Sequence, residues 1–292
     1  MNIASLINLL VSYSFWCIFG ISLVGYSFSL FMGAPSKIEL FLIIFLMLQA
    51  LYALNRLTDK EEDKITNPGR ASFIVGKEKH ILAFVGVSFL VSLSLAVMQN
   101  LLVFLFLIII LLIGFFYSFK SFLLKRLFGF YRFKDVLFGK NVVIGLTWSF
   151  LAVFVPMFYY SRTLTLGVAV LGIFIFLRGV INTALFDLRD VSGDKKVGVK
   201  TIPVVFGSKP MIMTFYALNF FIGVLIFLSV FYSILPFFAH FLNISTIWSF
   251  SYLYLIDKPK IINQKLLLEF VIDGEYFLIA ISVIFGAFLA GV

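Results

Sequence analysis

Residues 81–118 read ILAFVGVSFLVSLSLAVMQNLLVFLFLIIILLIGFFYS, without one Asp, Glu, Lys or Arg. A helix that crosses a bilayer needs about 20 mostly apolar residues, so this stretch holds two of them. Only Gln99 and Asn100 break it, which predicts a tight turn between two antiparallel spans. Working outward, the same pattern gives nine candidate spans, near 11–31, 38–55, 81–98, 101–118, 138–160, 163–185, 210–235, 236–256 and 274–291. Pro236 divides the seventh from the eighth. The start of the chain lacks a basic segment and a small-residue cleavage site, so the first span reads as a retained helix and not as a signal peptide.

Composition agrees. Of 292 residues, 62% are hydrophobic and 13% charged, and mean hydropathy is +1.11. Soluble domains carry about 25% charged residues. A water-soluble core of this size could not hide so much apolar surface. A soluble enzyme, a nucleic-acid binder and a disordered chain are thereby excluded. The single cysteine, Cys17, allows no intrachain disulfide and no cysteine-based metal site. The expected fold class is an all-α integral membrane protein, one membrane domain over residues 1–292.

The net charge of +9 matters chiefly for its placement. Every Lys and Arg except Lys37, Arg162 and Arg178 lies in the links after the second, fourth, sixth and eighth spans. These links share one side if every span crosses. Basic loops face the cytoplasm, so these links and the N-terminus are expected there.

Two acidic clusters lie in the same links. The first reads Asn55-Arg56-Leu57-Thr58-Asp59-Lys60-Glu61-Glu62-Asp63. Asn55, Asp59 and Asp63 are spaced by four and stack on one helical face. The second reads Asp187-Leu188-Arg189-Asp190-Val191-Ser192-Gly193-Asp194. Its spacing of three then four repeats the arrangement, provided Gly193 does not end the helix first. Stacked carboxylates repel unless a cation lies between them or water surrounds them. Hard oxygen ligands of this kind suit Mg2+, which completes its shell with water and substrate phosphate. One cluster alone is an ordinary solvated loop. Two with matched spacing, each ending an apolar helix and followed by basic residues, form a site for a diphosphate. Their common layout is compatible with an internal duplication.

At these residues the chain resembles the UbiA-type family of intramembrane prenyltransferases, whose motifs are N-x-x-x-D-x-x-x-D and D-x-x-D-x-x-x-D. The stretch Gly198-Val199-Lys200-Thr201-Ile202-Pro203-Val204 resembles the family's G-x-K-T-(L/I)-P-V, and Tyr117-Ser118 with Leu124-Lys125-Arg126 resembles its segment after the fourth helix. The chain departs from the family at Arg56, where many members have Asp, and at Arg70-Ala71-Ser72, where many have R-P-(I/L). The resemblance implies about nine helices around a central cavity. It implies two Mg2+ ions held by Asn55, Asp59, Asp63, Asp187, Asp190 and Asp194, with Asp59 and Asp190 catalytic. Arg70, Lys125 and Lys200 would neutralise the diphosphate of a polyprenyl donor, and Tyr117 would line the site. The donor's C–O bond ionises to an allylic cation, and an acceptor attacks C1. The acceptor stays open: an aromatic acid, a quinone precursor, a glycerol-phosphate ether lipid, a porphyrin or a carotenoid. The 39 Phe and 12 Tyr residues suit a carbocation and an isoprenoid tail, although most such rings face lipid or pack helices.

A cation-coupled transporter is the competing reading, but transporters place carboxylates near the bilayer midplane. A CDP-alcohol phosphotransferase is disfavoured because its D-G-x-x-A-R segment is absent. Among single residues, His80 reads as interfacial and His240 as structural. Arg178, inside a span, either reaches the cavity or pairs with a backbone carbonyl. Lys134-Asp135 and Lys140-Asn141 read by default as local ion pairs. Trp148 and the pair Tyr159-Tyr160 read as interfacial anchors.

Overall fold

Lengths of apolar helix alternate with short polar links throughout the computed structural model, which describes residues 14–66, 71–72, 74–256, 258 and 267–292. Helix α1 (Phe15–Phe28) tightens into a 3-10 turn, Ser29–Met32. Helix α2 (Ile38–Thr58) is followed by the short α3 (Lys60–Thr66). Helices α4 (Glu78–Gln99) and α5 (Leu101–Ser118) form the predicted hairpin. Asn100 makes the turn, its Oδ1 accepting from the Leu102 N–H at 2.8 Å.

Helix α6 (Phe122–Phe128) and a 3-10 turn, Phe133–Asp135, lead to α7 (Gly139–Ser149). That helix widens into a π segment, Phe150–Phe154, and ends as α8 (Val155–Tyr159). Pro156 has no N–H to offer the carbonyl of Ala152, and the widened turn lies just before it. Helix α9 (Leu166–Val197) has 32 residues and α10 (Ile202–Phe206) five. Helix α11 (Ser208–Phe231) precedes a 3-10 segment, Phe237–Leu242, which runs into α12 (Asn243–Ile256). A π segment, Leu267–Ile272, opens the last span, α13 (Glu275–Leu289).

Among the described residues, eight segments are long and apolar enough to cross a bilayer. The expected eighth span, 236–256, is composite. Its 14 α residues rise about 21 Å. The six 3-10 residues before them add about 12 Å. Together they match a hydrocarbon thickness of about 30 Å.

The helices pack by glycine as well as by bulk. α7 lies against α9, and a Cβ on Gly179 would stand 2.8 Å from the Cα of Gly145. A Cβ on Gly145 would meet the Phe176 carbonyl oxygen at 2.8 Å. Only glycine at both positions permits this approach. α1 packs on α13 and α2, around Ile18, Ile21, Met47, Leu151, Phe174 and Tyr276. The outward faces of α4 and α5 carry Leu82, Val87, Leu90, Leu102, Leu105 and Ile109, all exposed, a surface that fits hydrocarbon and not water.

Arg178 meets neither expectation. It is fully buried and pairs with the equally buried Glu275 at 3.2 Å. It also donates to Asn219 Oδ1 at 2.6 Å and Thr246 Oγ1 at 2.8 Å. Tyr252 donates to Glu275 Oε2 at 2.9 Å. This cluster ties α9, α11, α12 and α13 together away from the cavity.

Candidate active site

The site starts from where two helices end. α2 stops at Thr58, but the Asp59 N–H still bonds the Asn55 carbonyl and the Asp63 N–H the Asp59 carbonyl, at 2.9 and 2.8 Å. Helical stacking of the first motif therefore survives the junction with α3. The second motif rides on α9, which does not stop at Gly193. It continues to Val197, and Gly198 closes it in the left-handed conformation with φ 76. At about 1.5 Å per residue this helix is about 48 Å long. That exceeds a hydrocarbon layer of about 30 Å, so its motif-bearing end stands at or beyond the membrane boundary. α3 packs against α9, which brings the two acidic clusters together at one end of the bundle.

Two lysines each hold one cluster, Lys134 in the link after α5 and Lys140 at the start of α7. Lys134 pairs with Asp59 and, at 3.0 Å, with Glu62. Lys140 donates to Asp187 Oδ1 at 2.5 Å and Asn141 to Asp187 Oδ2 at 3.1 Å. These are not the local pairs expected from sequence; the local pair is Arg132 with Asp135, at 2.8 Å. Arg132 also reaches Glu62 at 3.0 Å. Asp190 is held by Arg189 at 2.8 Å, Asp63 by Arg56 at 4.0 Å, and Asp194 by the Thr201 hydroxyl at 3.2 Å. Burial pushes the Asp59 carboxyl above its ordinary range, against the pull of Lys134. Glu62 is half buried too, but Lys134 and Arg132 together bring it below its ordinary value.

Beneath the acidic groups lies a cavity of about 140 Å³, lined in part by Asn55, Arg56, Tyr117, Lys140, Arg189 and Asp190. Ser14, Cys17, Asn182 and Asp273 also line it. A smaller apolar cavity of about 70 Å³ adjoins it, lined by Leu48, Leu51, Gly114 and Val143. Tyr52, Asn55, Tyr117, Ile144 and Trp148 line both. A polar chamber thus continues into a greasy one. Trp148 is only 1% exposed and forms this shared wall, so it is not an interfacial anchor. Tyr159 is buried as well, while Tyr160 donates to the Pro35 carbonyl at 2.6 Å.

Of the expected diphosphate ligands, Tyr117 is at the cavity. Lys125 is exposed on α6 and donates to the Gly129 carbonyl at 3.1 Å, so it does not line the cavity. Lys200 is exposed just before Thr201 and does not line the cavity. Arg70 lies outside the described residues. Arg56, Lys140 and Arg189 occupy the cavity wall instead. Arg56 is the chain's departure from the usual acid at that position, and its buried Nε has no hydrogen-bond partner among the described residues. A cation half-satisfied at a cavity wall is a signal the motif pattern could not give.

The donor set suits Mg2+. It is oxygen-only, and the buried Oδ1 of Asn55 has no hydrogen-bond partner among the described residues, which leaves it available as a hard ligand. Among the described residues no three acidic, His or Cys groups converge into a cage.

Comparison with known proteins gives one consistent answer. The family model described as UbiA prenyltransferase family matches residues 8–272. The apo structure of a UbiA homolog from Aeropyrum pernix K1 superposes with a TM-score of 0.71 at 17% identity, covering 94% of this chain and 98% of that one. A UbiA homolog from Archaeoglobus fulgidus, bound to GPP and Mg2+, gives 0.69 at 19% identity, covering 94% and 98%. The chloroplastic 2-acyl-4-prenylphloroglucinol 6-prenyltransferase of Humulus lupulus is 40% identical over 50 residues, which is 16% of this chain and only 12% of that protein.

Proposed function

This chain belongs to the UbiA prenyltransferase family, and from that premise we propose that it transfers a prenyl chain from a prenyl diphosphate to an acceptor within the membrane, with Mg2+ as cofactor. The observation that supports the reading is one chamber with an apolar continuation, lined by Asn55 of the first motif, Asp190 of the second and three cations, Arg56, Lys140 and Arg189. The Archaeoglobus fulgidus homolog of the same fold is bound to GPP and Mg2+.

In this reading Asn55, Asp59, Asp63, Asp187, Asp190 and Asp194 would hold the metal, which when bound neutralises the charge that builds on the departing diphosphate. Arg56, Lys140 and Arg189 take its outer oxygens through charge-assisted hydrogen bonds. Lys134 and Lys140 hold Asp59 and Asp187 in place and keep the paired acids from repelling one another. Tyr52, Tyr117 and Trp148 flank the passage between the two chambers, and their ring faces suit an allylic cation. The apolar chamber takes the first part of the isoprenoid and shields the cation from water. The site end faces the cytoplasm in this reading, which the basic links support.

The test uses the purified chain in detergent with dimethylallyl, geranyl and geranylgeranyl diphosphates. Release of diphosphate that needs Mg2+ and stops with EDTA is the expected result. No release from any of the three, together with cation flux in proteoliposomes, would favour the transporter.

A further inference from the structure

One wall of the polar cavity comes from neither aspartate motif. Asp273 stands in the turn between the π segment Leu267–Ile272 and α13, 7% exposed and facing the cavity. Asn182 Nδ2 donates to its Oδ1 at 3.0 Å and so fixes the carboxylate from α9. Ser14 and Cys17 share the lining with it, and the charged groups that act on it are Glu269 and Arg189, which pair with each other at 3.7 Å. The cations of the cavity are matched elsewhere: Arg56 by Asp63, Lys140 by Asp187, Arg189 by Asp190. Among the described residues no cation lies within 4.0 Å of Asp273. A carboxylate withdrawn from water with an amide as its partner is costly to keep, and in a membrane protein such a group marks a functional position.

We propose that Asp273 is the acceptor-side group of this site, and that the acceptor presents to it a neutral hydroxyl, of an alcohol or a phenol. The inference rests on the prenyl-transfer reading above. A carboxylate with no cation in contact, and with Glu269 nearby, attracts an O–H donor and repels an anionic group, so it sorts the acceptor's hydroxyl from the donor's diphosphate. The donor's C1–O bond breaks and its electron pair leaves with the diphosphate. The acceptor's O–H proton passes to Asp273, and the pair it releases forms the new bond to C1. In an alcohol that bond is made at oxygen. In a phenol it can also form at an ortho carbon, whose hydrogen then returns to the phenol oxygen by tautomerisation. General-base assistance of this kind is worth about 10²- to 10⁴-fold in rate.

The experiment compares the native full chain with Asp273→Asn and Asp273→Glu, in detergent with Mg2+ and geranyl diphosphate. The acceptor probes are 4-hydroxybenzoate, 1,4-dihydroxynaphthalene and a 1-O-alkylglycerol. Donor binding is read as the shift in melting temperature caused by geranyl diphosphate with Mg2+. The native chain is expected to prenylate at least one probe. Asp273→Asn should transfer to it about 100-fold more slowly, with the donor-induced shift and the acceptor-free release of diphosphate unchanged, and Asp273→Glu should recover part of the rate. Transfer by Asp273→Asn within about threefold of native would overturn the proposal. So would loss of the donor-induced shift together with transfer, since that marks a structural role. A native chain that releases diphosphate yet prenylates none of the hydroxyl probes overturns the acceptor class. A native chain with neither shift nor release fails one step earlier, at the prenyl-transfer reading itself.

Discussion

Spacing alone places Asp59 and Asp190, and their catalytic role is proposed. Both sit where motif periodicity puts them, one at the head of the first cluster's last turn and one on the cavity wall. Asp59→Ala and Asp190→Ala are each expected to abolish transfer while the melting temperature stays near native; turnover in both variants would remove the motifs from the chemistry. The cations were less legible. Lys134 reaches Asp59 across 75 positions and Lys140 reaches Asp187 across 47, and no local pattern encodes such pairings. Arg56 looked like a departure from the motif, yet it faces the chamber with an unpartnered Nε. A hydrogen bond to a charged group is worth about 1.5–3 kcal/mol, so Arg56→Gln should raise the donor KM about 10-fold or more, whereas Lys125→Ala, exposed on α6, should change it less than about threefold. Equal effects of the two variants would reverse that assignment.

At the scale of elements, apolar run length gave the spans, and Gln99-Asn100 gave the hairpin. The end of α9 was not readable, because Gly193 is also a residue that ends helices; only Gly198, in the left-handed conformation, does so here. The closeness of α7 and α9 was hidden as well, since a glycine in an apolar span does not announce which helix it faces. Gly179→Val should push those helices apart, lower the melting temperature and remove transfer, because Lys140 and Asp187 sit on the two of them. The Arg178–Glu275 pair makes a second element-level prediction. Breaking a buried pair from one side costs about 3–5 kcal/mol, because a charge is left uncompensated. Arg178→Met should therefore unfold far more readily in detergent, and Arg178→Met with Glu275→Leu should regain most of the loss. A double variant no better than the single one would mean that the pair does not behave as a unit.

Across the whole molecule, the asymmetry of Lys and Arg organised the reading. Four basic links that lie far apart in sequence meet at one end: Lys134 with Asp59, Lys140 with Asp187, Arg189 with Glu269. At the other end Arg162 Nε donates to the Met32 carbonyl at 2.9 Å, and Lys37 lies over the Tyr159 ring. The proposed cytoplasmic placement of the basic end has a direct check: in intact cells a membrane-impermeant thiol reagent should label Thr163→Cys and spare Lys195→Cys, and inverted vesicles should give the reverse. Native Cys17 is buried and should stay silent.

The most direct measurement is a structure of the chain with Mn2+ in place of Mg2+ and a non-ionising thiolo analogue of geranyl diphosphate, with the metal located by its anomalous signal. Metal is expected between the Asn55/Asp59/Asp63 and Asp187/Asp190/Asp194 faces, with the diphosphate against Arg56 and the prenyl tail beside Trp148. Metal bound at only one face, or a diphosphate outside this chamber, would contradict it.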